Sequence, residues 1–170
     1  MHNRSTSRGP WGRGLGLTLA LLGALFLPAC SDTTTNVPGG RAQIFVSVAP
    51  NPVIGAQSPV GSVSAAYIVT VREIGGVGGG EIQFVNSTVF DPETGLQVAV
   101  NYFDSAALVV FQGTNRLDAG GELDITQTTS YTLPDLRVNA DLTVAVQFLD
   151  DSGILSNQSV LVPIIPAPAE

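Results

Sequence analysis

The chain has 170 residues, with 14 acids against seven arginines, no lysine and a formal net charge of −7. Its one histidine is His2 and its one cysteine is Cys30. Beyond Cys30 this leaves no imidazole or thiolate metal site, no Ser–His–Asp or Cys–His nucleophile, no lysine Schiff base and no internal disulfide. Nucleic acid is a poor match as a partner, because binding it needs clustered cations to neutralise phosphates.

The chain opens with Arg4, Arg8 and Arg13 and no acid, followed by an apolar run from Leu15 to Leu27. A run of about 13 residues has the length of a signal-peptide h-region, whereas a spanning helix needs about 20. The run closes on Leu27-Pro28-Ala29-Cys30. That segment resembles the lipobox of bacterial lipoproteins: an aliphatic residue, a variable one, Gly or Ala, then the modified Cys. Pro28 is a less usual choice at the variable position. The resemblance implies that residues 1–29 are a cleaved leader, that a diacylglyceryl group joins the Cys30 sulfur, and that an acyl group caps the new N-terminus. With each buried methylene contributing roughly 0.8 kcal/mol, two acyl chains give stable anchoring. Ser31 follows the cysteine and the first acid is Asp32. By the same resemblance the chain is expected in the bacterial cell envelope at the outer membrane, on its periplasmic face or at the cell surface.

Cleavage there leaves 141 residues, enough for one domain with a sizeable core. Arg41, Arg72, Arg116 and Arg137 then stand against all 14 acids, for a net charge of −10. Residues 30–41 read as the lipidated cysteine and a flexible polar tether, and residues 42–165 as the folded domain. Ile44–Val48 is a short β-branched strand ended by Pro50-Asn51-Pro52, with a loop through Gly55, Pro59 and Gly61 after it. Ala65–Ile74 is a strand with Tyr67, Val69 and Val71 on one face. Gly75–Gly80 reads as a flexible hairpin loop into a strand over Glu81–Phe90, in which Ile82 and Phe84 share a face.

Asp91-Pro92-Glu93-Thr94-Gly95 has the residues of a tight turn. Leu96, Val98, Val100 and Tyr102 then alternate with polar neighbours as a strand. Leu108–Phe111 is a continuous apolar run, read as a strand buried on both faces or at a sandwich corner. After a long turn over Gly113–Gly121 come two short β pieces, Glu122–Ile125 and Ser130–Leu133, and a break at Pro134-Asp135. Leu142, Val144, Val146 and Phe148 alternate into a hairpin turned by Asp150-Asp151-Ser152-Gly153. Ile154–Ile165 returns, with Pro163 marking an edge, and residues 166–170 form an extended tail.

Short strands at near-regular spacing with Gly/Pro turns and no helical period indicate an all-β antiparallel sandwich of about seven to nine strands. The strand order, the stretch Arg116-Leu117-Asp118-Ala119-Gly120-Gly121-Glu122-Leu123 and the closing hairpin resemble immunoglobulin-like modules of bacterial surface and periplasmic proteins. The resemblance covers residues 43–165 and carries no ligand, since such folds host many functions.

Few residues offer chemistry. Acids cluster at the turns, and Asp91, Glu93, Asp150 and Asp151 are the candidate calcium ligands, because calcium takes six to eight oxygens. Asp118 and Asp135 lie in further turns, and no EF-hand spacing is present. Gly75–Gly80 lacks the following Lys, Ser or Thr of a phosphate-binding loop. Tyr67, Tyr102 and Tyr131 could stack a sugar, but Tyr67 and Tyr102 fall on apolar faces and read as core. Asn86-Ser87-Thr88 and Asn157-Gln158-Ser159 match the glycosylation sequon within strands. The expected protein is non-enzymatic, has no catalytic residue and no cofactor apart from the lipid on Cys30 and conceivably calcium, and presents a binding or scaffold module to a protein or glycan partner. The alternatives are a calcium-dependent adhesion or matrix module and a carboxylate-based hydrolase.

Overall fold

In the computed structural model of the chain, residues 40–133 and 139–167 are described. The leader, Cys30, residues 31–39, the break at Pro134-Asp135 and residues 168–170 lie outside them. Nine strands and one helix follow in chain order: β1 (Ile44–Ala49), β2 (Val53–Gln57), β3 (Ser62–Glu73), β4 (Gly80–Phe90), β5 (Gln97–Asp104), α1 (Ser105–Gln112), β6 (Arg116–Leu117), β7 (Glu122–Thr132), β8 (Ala140–Asp150) and β9 (Leu155–Pro166). The hydrogen-bonded path runs β1-β3-β2-β9-β8-β4-β5, with β6 on β4 and β7 on β3. β2 pairs with β3 on one side and, in parallel, with β9 on the other. It thereby carries the ladder from one layer, β1-β3-β7, to the other, β9-β8-β4-β5. All other pairings are antiparallel.

The core follows from strict alternation. Val63, Ala65, Tyr67, Val69 and Val71 of β3 are buried, as are Ala140, Leu142, Val144, Val146 and Phe148 of β8, all in one cluster. Period-two spacing puts each set on one face of its sheet, and the two faces close over each other. The fold is an antiparallel, immunoglobulin-like β-sandwich.

Both ends of the sandwich can be read from the register. Ile44 sits opposite Glu73, and Arg72 opposite Glu122. Gly80 sits opposite both Asp150 and Leu117. The end where the described chain begins, here the near end, therefore holds the starts of β1, β4, β7 and β9. The far end holds the β2–β3 turn around Val60 and the turn after Phe90.

Several expectations need correction. Leu108–Phe111 is not a strand but the second half of α1. Asp104 caps the helix, its carboxylate accepting the Ala107 N–H at 2.7 Å, and Gly113 stops it in the left-handed region at φ 80°. Local capping thus overrides the strand preference of Val109, Val110 and Phe111. Glu122–Ile125 and Ser130–Leu133 belong to one continuous strand, β7, because β3 offers eleven consecutive partners from Ser62 to Arg72. Gly75–Gly80 does not close a hairpin: β3 and β4 lie in different layers and the loop crosses between them. The stretch after Pro52 is strand β2 rather than loop. A bulge between Ile82 and Phe84 shifts the alternation, so Ile82 and Val85 are buried and Phe84 is not. Pro163 marks no lone edge, for β2 joins β9 one residue later, at Ile164.

Candidate functional site

The near end gathers most of the polar construction of the molecule. Glu73 ends β3 at 1% exposure, and its carboxylate accepts four backbone N–H groups. Oε1 takes Gln43 at 3.0 Å and Gly75 at 2.7 Å, while Oε2 takes Gly76 and Gly120, both at 2.8 Å. Three segments far apart in sequence are pinned by one side chain. Burial pushes the Glu73 carboxyl up, but the four amide donors together outweigh it and hold it below the ordinary 4.5. Gly75 has no room for a side chain: a Cβ there would stand 2.6 Å from the Arg41 carbonyl and 2.7 Å from Glu73 Oε1.

Beside this pin, Arg116 of β6 reaches the β8–β9 turn. Its two terminal nitrogens donate to the two oxygens of Asp151 at 2.9 and 2.8 Å, and its Nε stands 3.5 Å from Asp118. The hydrogen bonds from Arg116 hold the Asp151 carboxyl below its usual range. Asp150, buried, turns inward and accepts the N–H groups of Ser152 at 2.9 Å and Ile154 at 2.8 Å through Oδ1.

The same end opens a groove of about 390 Å³ between two strand edges. It is lined by residues 41–45 and Ile74 on one side, and by Asp150, residues 154–156 and Gln158 on the other. Its origin is the break at Pro50-Asn51-Pro52. β1 stays with β3, while its continuation β2 moves over to β9. Among the described residues, β1 before the break has β3 as its one ladder partner, and β9 before Ile164 has β8 alone. Two strand edges thus line a partly apolar groove.

The calcium candidates do not converge on one point. Asp91 and Glu93 lie at the far end, where Asp91, 1% exposed, accepts the Glu93 N–H at 3.0 Å and the Thr94 hydroxyl at 2.9 Å. Asp150 and Asp151 lie opposite the start of β4, and Asp91 follows its end. Ten residue steps of strand separate the two turns by about 33 Å. Among the described residues, no group of three or more His, Cys, Asp or Glu is placed to hold a metal ion.

Of the three tyrosines, Tyr67 is buried as expected and Tyr131 is buried too, whereas Tyr102, read as core, is 58% exposed and tilts against Phe84 at a centroid distance of 5.7 Å. Burial pushes the Tyr131 hydroxyl up to about 12. Tyr67 anchors a chain of polar side chains through the core, donating to Gln127 Oε1 at 3.0 Å and meeting the Thr129 hydroxyl at 2.8 Å. Asn101 of β5 crosses from the other layer and donates to Thr129 Oγ1 at 2.7 Å and to the Thr128 carbonyl at 3.0 Å. Asn86 and Asn157 both lie within strands.

Glu73 escaped the reading of the sequence because its partners are all backbone groups. The glycines at 75, 76 and 120 were the signal available, since a carboxylate can draw close to glycine amides. The groove left no sequence signal beyond the Pro50-Asn51-Pro52 break.

No protein-family model and no curated protein matches the chain. Among solved structures, it is similar to an ApaA protein from Bordetella pertussis, at 15% identity and TM-score 0.56, covering 76% of this chain and 98% of that one. It is also similar to the structural-genomics target SoR45, at 12% identity and TM-score 0.54, over 74% of this chain and 87% of that one. Murine CRIg aligns at 12% identity and TM-score 0.40, over 74% and 99%. The first two likenesses concern the β-sandwich fold.

Proposed function

We propose that the chain is a non-enzymatic binding module held in the bacterial cell envelope by a lipid on Cys30, at the outer membrane, and that it presents its sandwich to a protein or glycan partner. The observation that carries the binding role is the near-end groove between β1 and β9. Strand edges with unmatched backbone donors and acceptors are where extended polypeptides add to a sheet. Here such an edge borders a cavity with apolar walls at Ile44, Phe45, Ile74, Ile154 and Leu155. Support for the anchor comes from the arginine-flanked apolar run and Leu27-Pro28-Ala29-Cys30.

The anchor is tested with Cys30→Ala. The variant is expected to leave the membrane fraction while the domain keeps its melting transition, and a variant still membrane-bound refutes the lipid. Protease treatment of intact cells then separates the two faces of the membrane, with Arg41, exposed ahead of β1, as the trypsin target: release of the domain before lysis puts it at the cell surface, and protection until lysis puts it in the periplasm. The calcium-dependent alternative would have to work from two turns about 33 Å apart. At 100 times its dissociation constant, calcium bound to the folded state alone adds about 2.7 kcal/mol, so a melting curve unmoved by calcium or chelator rejects that reading.

A further inference from the structure

Helix α1 presents an apolar surface that the fold leaves unpaired. Val110 and Phe111 are 76% and 68% exposed, Val109 is about half exposed, and the helix holds no acid in its first turn and no base in its last. Of its eight residues only Leu108 is buried. Phe111 meets Phe103 edge-on at a centroid distance of 5.8 Å. The helix lies at the near end. It follows Asp104, which sits opposite Phe84 near the start of β4, and it leads through Asn115, whose carbonyl accepts the Ile82 N–H, into β6. Val77, in the crossing loop at the same end, is exposed as well.

The described chain also begins at this end, and that fact selects an occupant. Ten residue steps lead from Cys30 to Gly40. Whatever their arrangement, they reach at most about 35 Å. The twelve residues of β3, eleven steps, span about 36 Å. If Cys30 carries a lipid, the near end stays within about 35 Å of the bilayer, and it is the end from which the tether leaves.

We infer that α1 is a lipid-docking element: Val109, Val110 and Phe111 enter the headgroup region of the bilayer that holds the anchor, and so fix the orientation of the domain. The inference rests on the anchor proposed above. It also specifies the lipid. The chain beyond residue 29 carries −10, and Glu81, Asp104, Asp118 and Asp151 surround α1 and β6, so the surface it suits is zwitterionic rather than anionic.

The mature chain would contain no tryptophan, since Trp11 lies in the leader. A single tryptophan can therefore report depth. The full lipidated protein would be made as Phe111→Trp, with Val110→Trp as a second probe should the first not fold, and Val60→Trp at the far end as control. Each is reconstituted into phosphatidylcholine vesicles with and without brominated acyl chains. Flotation with the vesicles reads the anchor; quenching by bromine reads docking. The expected result is flotation of all variants, a blue-shifted and quenched signal at 111 or 110, none at 60, and loss of quenching as anionic lipid is added. Failure to float overturns the anchor reading and the docking with it. Flotation with an unquenched residue 111 and 110 overturns docking alone, as does equal quenching at 60. A blue shift without bromine quenching means that α1 is covered by protein, and it also overturns the proposal.

Discussion

Replacing Glu73 by Gln is the most informative single perturbation of this fold. The side chain keeps its length and its place among the four N–H donors. One oxygen becomes an NH2 group, so two backbone donors, either Gln43 and Gly75 or Gly76 and Gly120, face a donor instead of an acceptor. A hydrogen bond to a charged acceptor contributes about 1.5–3 kcal/mol, and losing two costs about 3–6 kcal/mol. A domain of this size has about 5–15 kcal/mol in total. The pH dependence follows from the same geometry. The folded-state pKa of Glu73 is depressed, so its contribution is present above the unfolded value near 4.5 and is lost as pH falls through the folded value. Urea unfolding at pH 7 is expected to show the full loss in Glu73→Gln. The gap to the parent protein should narrow as pH falls below the unfolded value near 4.5. A variant within about 1 kcal/mol of the parent at pH 7, or a gap that widens in acid, would refute the reasoning.

Other substitutions follow from the same description. Gly80→Ala puts a methyl group against the Leu149 carbonyl and the Phe148 ring, and is expected to cost more than 2 kcal/mol, on the order of other overpacking changes; Gly78→Ala meets open space and should be neutral or stabilising by about 0.4–1 kcal/mol, with thermal melts of the pair deciding it. Tyr67→Phe leaves Gln127 Oε1 and Thr129 Oγ1 each short of a partner in the core and should cost about 1–3 kcal/mol by urea titration. Leu108→Ala removes the one buried side chain of α1 and should cost about 2–5 kcal/mol, whereas Val110→Ala at the exposed face should leave the melting temperature of the soluble domain within about 2 °C.

Much of the sandwich was legible because alternation survives wherever a strand has one buried face. β8 buries every second residue from Ala140 to Asp150, and β3 does the same from Val63 to Val71. The turns at Gly95 and Gly153 adopt φ of 70° and 81°, as their glycines suggested. α1 was misread because four consecutive apolar residues carry no period of their own. The readable cue lay outside the run, in Asp104 eight residues before Gln112 and Gly113 just after it. The order of strands was harder. Nothing local says that Gly75–Gly80 crosses between layers, because the pairing of β4 with β8 joins residues some sixty apart. That pairing also decides where Asp91 and Asp150 lie, so their separation could not be foreseen from two acidic turns. The groove depends on the same long-range choice, since it exists only because β2 leaves the layer of β1.

The side chain of Asn101 has a consequence for how copies of this protein coexist. Among the described residues β7 is paired with β3 alone, and its other edge would offer backbone N–H and carbonyl groups to any strand that came near. By placing its amide on the Thr128 carbonyl, Asn101 takes up one acceptor midway along β7 and ties β5 to it at that point. An approaching strand would have to displace a neighbour from the same molecule first, which raises the barrier to edge-to-edge pairing. For molecules gathered in two dimensions, where encounters are frequent and orientations shared, that obstruction favours a population that stays dispersed over one that condenses into sheets.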